Sequence, residues 1–493
     1  MMLKEKKIIA EGSIVETFEQ NVSMGDPAKY NPQGGVLTFR GGPLRQNGAY
    51  GTVVVEKHEL AVIRGMRTGS LGKDLMGFGY GSQPLIVKWY KNIREMMALK
   101  DDAKDYTAFK EVILPASDGK IYFYNLETQV FSRDIIDVGF PVSTTGAINP
   151  YGYPLLYVGQ NEDEVDDYRG IVGMRMYDLI NNKMIAFETG LNQSSYLSSV
   201  GTISTSPLIE ADSDTLIYIG DNGMLYTVAL NTEFDLENAA ISLDPEVSAY
   251  AYQTNIRKAK QGVRASVAAY GDYAYFGDMA GVIQCVDMNT FEPVWTYNIG
   301  DSVMANVALE VEDDGVYLYA GNVINTRKAS TGIDLVKIDA LTGELVWNNK
   351  NAIGKYSSKL GDDVYAGLMG SPLIGQGNID DLVIFNVNHV QTEEKNVFCS
   401  VVYALDKVTG EEVWSQMIDV DSISSPIAMY ESDGTSYIVM GDENGTLRLM
   451  DGFTGLTIST VNLGSAIQSS PAAYGNHIVV GTTGGMIYFV ELK

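Results

Sequence analysis

Cysteine and histidine are scarce, with two Cys and three His among 493 residues. Cys285 and Cys399 each sit in an apolar, strand-like run. They read as buried structural thiols, and without a C-x-x-C pair no thiolate metal site or redox couple is indicated. His58, His389 and His477 lie far apart in the sequence, and nothing around them marks a Ser-His-Asp grouping. There is no HExxH, no P-loop and no GxGxxG between a strand and a helix, so the sequence carries none of the usual signatures of zinc, nucleotide or dinucleotide sites. Positive charge is short as well. Lys and Arg total 35 against 62 Asp and Glu, a net charge of −27 at pH 7. Such a field repels phosphate backbones and makes nucleic acid an unfit partner. No run approaches the length of a membrane span, and the opening MMLKEKKIIAEGSIVETFEQ has no apolar signal-peptide core, so neither a membrane span nor a signal peptide is read in this sequence.

What is present is a fourfold rhythm of short strands. Residues 424–459 divide into IAMY, TSYIVMG, TLRLMDG and LTIST, each apolar or alternating and each bounded by ESDG, DENG or FTG turns. Copies of this unit are marked at their start by small residues: TSP (Thr205 to Pro207), ASV (Ala265 to Val267), GSP (Gly370 to Pro372), SSP (Ser424 to Pro426) and SSP (Ser469 to Pro471). A second mark closes them. DMNTFEPVW, DALTGELVW and DKVTGEEVW end at Trp295, Trp347 and Trp414, and DGFTGLTIS keeps the frame with Ser459 in the Trp place. Four-stranded units that repeat cannot bury both faces alone, and stacked around an axis they form a β-propeller.

The chain is therefore read as all-β, an eight-bladed β-propeller of four-stranded antiparallel blades, with seven as the alternative count. Residues 1–50 are expected to be an N-terminal extension packed on the ring, without strand pattern before Val36, and residues 51–493 a single propeller domain. Blade 1 spans about 83–137 and carries a charged insertion of helical propensity, NIREMMALKDDAKDY. Blade 2 spans about 144–189 and blade 3 about 206–243, followed by a long connection over 244–264. Blades 4 to 8 start near Ala265, Ala305, Gly370, Ser424 and Ser469. Only three strands follow Ser469, while ELAVIRG at 59–65 is a surplus strand. Closure by that strand as the outer strand of blade 8 removes the exposed edges of an open ring.

The pattern G-x-x-(D/N)-G-x-(L/I)-x-x-(L/V)-D-x-x-T-G-x-x-x-W resembles the repeat of pyrroloquinoline-quinone-type (PQQ-type) β-propellers over roughly residues 51–493, most strongly from 265 onward. That superfamily holds quinoprotein alcohol dehydrogenases and the propeller lipoprotein of bacterial outer-membrane assembly. The resemblance implies a bacterial protein of an extracytoplasmic or cell-surface compartment. A quinoprotein would hold PQQ and a calcium ion that polarises it, with an Asp as base. Such enzymes carry adjacent cysteines over the cofactor and a Trp anchor in most blades. This chain lacks the adjacent cysteines and has the anchor in three blades only. Neither PQQ nor calcium is expected, and acidic turns such as Glu210 to Asp214 and Glu310 to Gly315 miss the calcium-loop pattern.

Six long segments are expected to project from one face: 160–170, 322–332 and 388–400 between second and third strands, and 191–204, 244–264 and 348–369 between blades. Insertions on one face of a repeat fold mark a binding side. The strand starts Ser206, Ser266, Asn306, Ser371, Ser425 and Ser470 are placed around the channel mouth. There they either let inner strands crowd the axis or hold water, an ion or a small polar ligand. No catalytic residue is assigned. The reading is a non-catalytic monomer that binds a protein or polysaccharide partner, with the quinone-dependent dehydrogenase as its alternative.

Overall fold

A computed structural model describes residues 2–256, 262–325, 329–359, 362–392 and 397–493; parts of the expected long segments at 244–264, 322–332, 348–369 and 388–400 lie outside them. Eight antiparallel sheets form a ring. Blade 7 shows why the sequence folds so. Its strands Ile427–Glu431, Ser436–Gly441, Thr446–Asp451 and Thr457–Asn462 pair in order. The second is buried throughout, whereas the fourth alternates between half-buried and exposed. A middle strand sandwiched between neighbouring sheets must be apolar on both faces, and an outer strand only on one. The first strands of blades 1 to 8 begin at Leu85, Ala147, Leu208, Ala268, Ala308, Leu373, Ile427 and Ala472.

The ring closes as the strand count requires. Leu60–Arg67 runs antiparallel to Met486–Leu492, from Leu60 opposite Leu492 to Arg67 opposite Met486, and supplies the outer strand of blade 8. In blade 1 the charged insertion forms two short helices, Lys91–Met96 and Asp101–Asp105.

Contact between blades 4 to 7 follows one rule. In the D-x-x-T-G turn the Asp side chain accepts from backbone N–H groups two and three residues on, as Asp339 does from Leu341 and Thr342 and Asp406 from Val408 and Thr409. The Gly that follows adopts a left-handed conformation, φ +76° at Gly343, +72° at Gly410 and +72° at Gly455. Each lies flat against the tryptophan of the preceding blade: a Cβ at these positions would come within 2.7 Å of Trp295, 2.5 Å of Trp347 and 2.3 Å of Trp414. The indole N–H of Trp295 then donates to the Ala340 carbonyl at 2.8 Å, and that of Trp347 to the Lys407 carbonyl at 2.9 Å. Trp295 and Trp347 are buried, while Trp414 is half-buried. In blade 4 the Gly place holds Phe291 at φ +54°, stacked on Phe18 at 4.9 Å.

Two expectations fail. Residues before Val36 do contain strands: Leu3–Ala10 and Ser13–Val15 extend blade 3 beyond its outer edge to make a six-stranded sheet. The alternation in KEKKIIA is obscured by four charges on a strand whose solvent face is open. Blade 3 also does not end at 243. Its outer strand is Glu246–Thr254, inside the stretch read as a connection. A small hairpin, Glu233–Asp235 with Ala240–Ser242, is inserted ahead of it and occupies the place where an outer strand was expected.

The segment 35–53 passes along the inner edges of the blades. It pairs with blade 1 through Gly35–Val36 and, in parallel, with blade 8 through Ala49–Tyr50 and with blade 7 through Thr52–Val53. Between these, Ile148 donates to Leu37, Thr38 to Pro207, Ala269 to Pro43, and Leu309 to Leu44. Arg40 reaches the Pro372 carbonyl of blade 6. We propose that the N-terminal residues and the propeller therefore fold as one unit.

Deleting residues 1–66 is expected to aggregate the protein or lower its melting temperature sharply, because it unpairs blade 8 and strips these inner edges; an unchanged melting curve would refute this closure. Trp347→Ala is expected to cost about 3–5 kcal/mol in denaturant unfolding, and Gly410→Ala to be destabilising too, since a left-handed φ and the indole face both oppose a Cβ.

Candidate functional site: the axis and the loop-rich face

The six strand starts come together at the axis as a hydrogen-bonded relay. The Ser206 N–H donates to Ser266 Oγ at 2.8 Å, Ser266 N–H to Asn306 Oδ1, and Asn306 Nδ2 to Ser371 Oγ at 3.1 Å. Ser371 N–H continues to Ser425 Oγ at 3.0 Å, Ser425 N–H to Ser470 Oγ at 3.2 Å, and Ser470 N–H to the Ser82 carbonyl at 2.8 Å. All six are buried. From Ser266 to Ser470 each side chain thus accepts a hydrogen bond from the preceding blade, and the small Ser or Asn is what lets neighbouring strands approach within hydrogen-bond reach.

The axis is closed from both sides. On one side lies Phe39 with the 35–53 segment; on the other, Tyr80 donates to the carbonyls of Met304 at 2.5 Å and Met369 at 3.0 Å. Burial raises the Tyr80 phenol above its ordinary value, so it stays a neutral donor. Between them a cavity of about 10 Å³ remains, lined by Ser266, Asn306, Ser371, Ser425 and Ser470 and by the exposed Arg264 at its mouth. That is room for about one water. A tricyclic quinone does not fit there, and among the described residues no three His, Cys, Asp or Glu side chains are grouped to hold a metal ion. Cys285 and Cys399 lie in different blades, both buried, and burial lifts the Cys285 thiol to about 12, which leaves it unreactive.

The histidines serve three separate places. His58 meets the Tyr437 hydroxyl at 3.2 Å, His477 faces Glu127 at 3.7 Å, and His389 Nδ1 lies 3.0 Å from Asp421. Only the last belongs to the face where the long segments gather, and its ring stacks flat on Phe398 at 4.2 Å.

On that face the long segments of blades 5 and 6 are built into a ledge. Val323–Ile324 pairs with Ala366–Leu368, which pairs with Leu382–Gln391. Thr331–Gly332 pairs with Ile353–Gly354, and Ser357–Lys359 with Asp362–Val364. Blade 6 thus raises a two-stranded ribbon, Leu382–Gln391 against Phe398–Asp406, where a loop over 388–400 was expected. Ile353 and Val397 are exposed on the ledge. Across the face, the blade 2 hairpin pairs Glu164–Val165 with Tyr168–Arg169 and leaves Tyr168 and Ile171 69% and 63% exposed. Partial desolvation pushes the Glu162 and Glu443 carboxyls above their ordinary range.

Comparison with known proteins agrees with this architecture. Residues 399–493 match the family described as outer membrane protein assembly factor BamB. Superposition on solved structures covers 94% of this chain and 99% of a europium-containing methanol dehydrogenase, with a TM-score of 0.59 and 12% identity. The chain has the fold of the PQQ-type β-propellers. The PQQ-type fold is shared as well with the quinohemoprotein alcohol dehydrogenase of Comamonas testosteroni, at TM-score 0.60, 11% identity, and 93% and 80% coverage of the two chains. BamB of Moraxella catarrhalis gives TM-score 0.51 and 17% identity, with 88% of this chain and 99% of that one covered. In sequence, 91 residues are 31% identical to BamB of Kangiella koreensis, so this PQQ-type chain covers 22% of the length of that relative and the match is 18% of its own.

Sequence reasoning missed the axial plug. Its one visible signal is two arginines, Arg40 and Arg45, in an otherwise uncharged, glycine-rich stretch. Tyr80→Phe is expected to destabilise by about 1 kcal/mol, the usual net value of one buried hydrogen bond, measured by denaturant unfolding.

Proposed function

We propose that this propeller is a non-catalytic platform that binds a protein partner through its loop-rich face, in an extracytoplasmic compartment of a bacterium. The ledge of paired strands carries the reading. Its backbone groups are tied to one another, so Ile353, Val397 and the His389–Phe398 stack are presented on a firm support rather than on free loops. Apolar side chains held rigidly on such a support lose little entropy on docking. The likeness to proteins described as outer membrane protein assembly factors supports a partner in outer-membrane assembly. A polysaccharide is the other partner class, and the monomer is the favoured state because a charge of −27 opposes self-association. The narrow axial cavity supports a protein that works without PQQ or calcium.

Photo-crosslinking residues placed at Tyr168, Ile353 and Val397 are expected to capture an envelope protein that recurs across all three positions, while the same residue at Val408, on the opposite turns, captures none. Capture from Val408 alone would move the interface, and glycan-array binding without protein capture would replace the partner class. Incubation with PQQ and calcium followed by desalting is expected to leave no absorbing cofactor and no dye reduction with alcohols; stoichiometric retention with turnover would restore the dehydrogenase reading.

A further inference from the structure

The face opposite the ledge holds a dish of about 980 Å³, within the range of ligand sites for peptide-sized molecules. Its floor is the plug segment, Arg40 to Asn47, and its walls are the 24–31 loop and the first-strand ends of blades 4 to 6. Arg40 and Arg45 are 1% and 0% exposed. Their partners are oxygens without charge. Arg40 donates to the carbonyls of Pro426, Gln46 and Pro372, and Arg45 to those of Val267, Phe39 and Ser206 and to Thr38 Oγ1. Among the described residues neither guanidinium bonds a carboxylate, and Arg40 Nε is buried without any partner. Burial pushes both groups down to about 9, which leaves both charged at neutral pH.

The two carboxylates that line the dish are already matched. Asp26 lies 3.2 Å from Lys29, and Glu310 lies 2.5 Å from Lys407. The dish is thus a locally cationic spot on a chain of net charge −27, with the two unpaired charges set in its floor. A buried charge without a counter-ion is costly, and a carboxylate arriving above it lowers that cost.

We infer that this dish binds a carboxylate-bearing peptide segment. The amide and hydroxyl groups around the floor, from Asn31, Gln376, Tyr30 and Tyr270, suit a peptide backbone and an aromatic neighbour, and the volume exceeds the need of a single ion. The site lies on the far side of the axis from the ledge and does not depend on the function proposed for the ledge.

Fluorescence anisotropy with labelled GFEEFG and its neutral counterpart GFQQFG tests it on the full chain. The acidic peptide is expected to bind about tenfold tighter at low salt, with the difference shrinking as ionic strength rises. Val311→Asp and Gln376→Glu, both exposed rim positions, are each expected to weaken it about threefold to tenfold without moving the melting temperature, whereas Ile353→Asp on the ledge leaves it unchanged. Arg40→Gln is informative only if it folds, and the rim variants stand in its place. Equal binding of the two peptides, insensitivity to both rim charges, or displacement by equimolar inorganic phosphate would overturn the inference.

Discussion

Everything in this ring leans on the inner-edge hydrogen bonds of residues 35–53. The first strand of a propeller blade faces the axis with unpaired backbone groups, an exposed edge that folded proteins have to satisfy or cover. Here one segment serves the innermost strands in turn: by parallel pairing at blades 7 and 8, by antiparallel pairing at blade 1, and at the others by hydrogen bonds that Thr38 and Arg40 donate and the Leu37, Pro43 and Leu44 carbonyls accept. The arginines span what the backbone does not reach. A guanidinium offers five donors in a plane, and Arg45 uses three of its nitrogens on four oxygens converging from blades 3 and 4 and from its own segment.

Away from the axis the blades hold one another in two ways. Blades 4 to 7 use the tryptophan laid on the glycine of the next D-x-x-T-G turn. Earlier blades fill the same interface with other chemistry. Between blades 3 and 4, Phe291 takes the turn position and stacks with Phe18 and Tyr250, so the N-terminal segment contributes the aromatic bulk that no tryptophan provides. Between blades 1 and 2, Arg133 bonds the carboxylate of Glu111 and the Leu179 carbonyl in the interior and reaches the half-buried Asn182. A buried ion pair of that kind is held by geometry more than by net energy.

This division explains how much was legible in the sequence. The later blades were readable because their contact is made by residues in fixed register: Asp to Trp at constant spacing, with Gly between. The closing strand was readable from a count, one strand short at Ser469 and one spare at Glu59. The placement of the six ring residues was readable because a Ser or Asn before Pro or Val marks the inner strands of blades 3 to 8. Illegible were features whose partner is remote and uncharged. Arg40 bonds carbonyls more than 300 positions away, and a carbonyl leaves no mark in a sequence. Leu3–Ala10 joins a strand near residue 250 mainly through backbone groups, and the inserted hairpin at 233–242 took the place where the true outer strand of blade 3 would have been sought.

The pairing of Leu60–Arg67 with Met486–Leu492 has a temporal side. A chain made from its N-terminus carries this strand long before its partner exists. Until the last blade emerges, the strand and the edge it will cover are separated by more than 400 residues of chain, and contacts of such sequence separation form slowly. Ring closure is thus a latch between two strands far apart in the sequence. During that wait the unpaired edges of a half-built ring are what a chaperone would meet first.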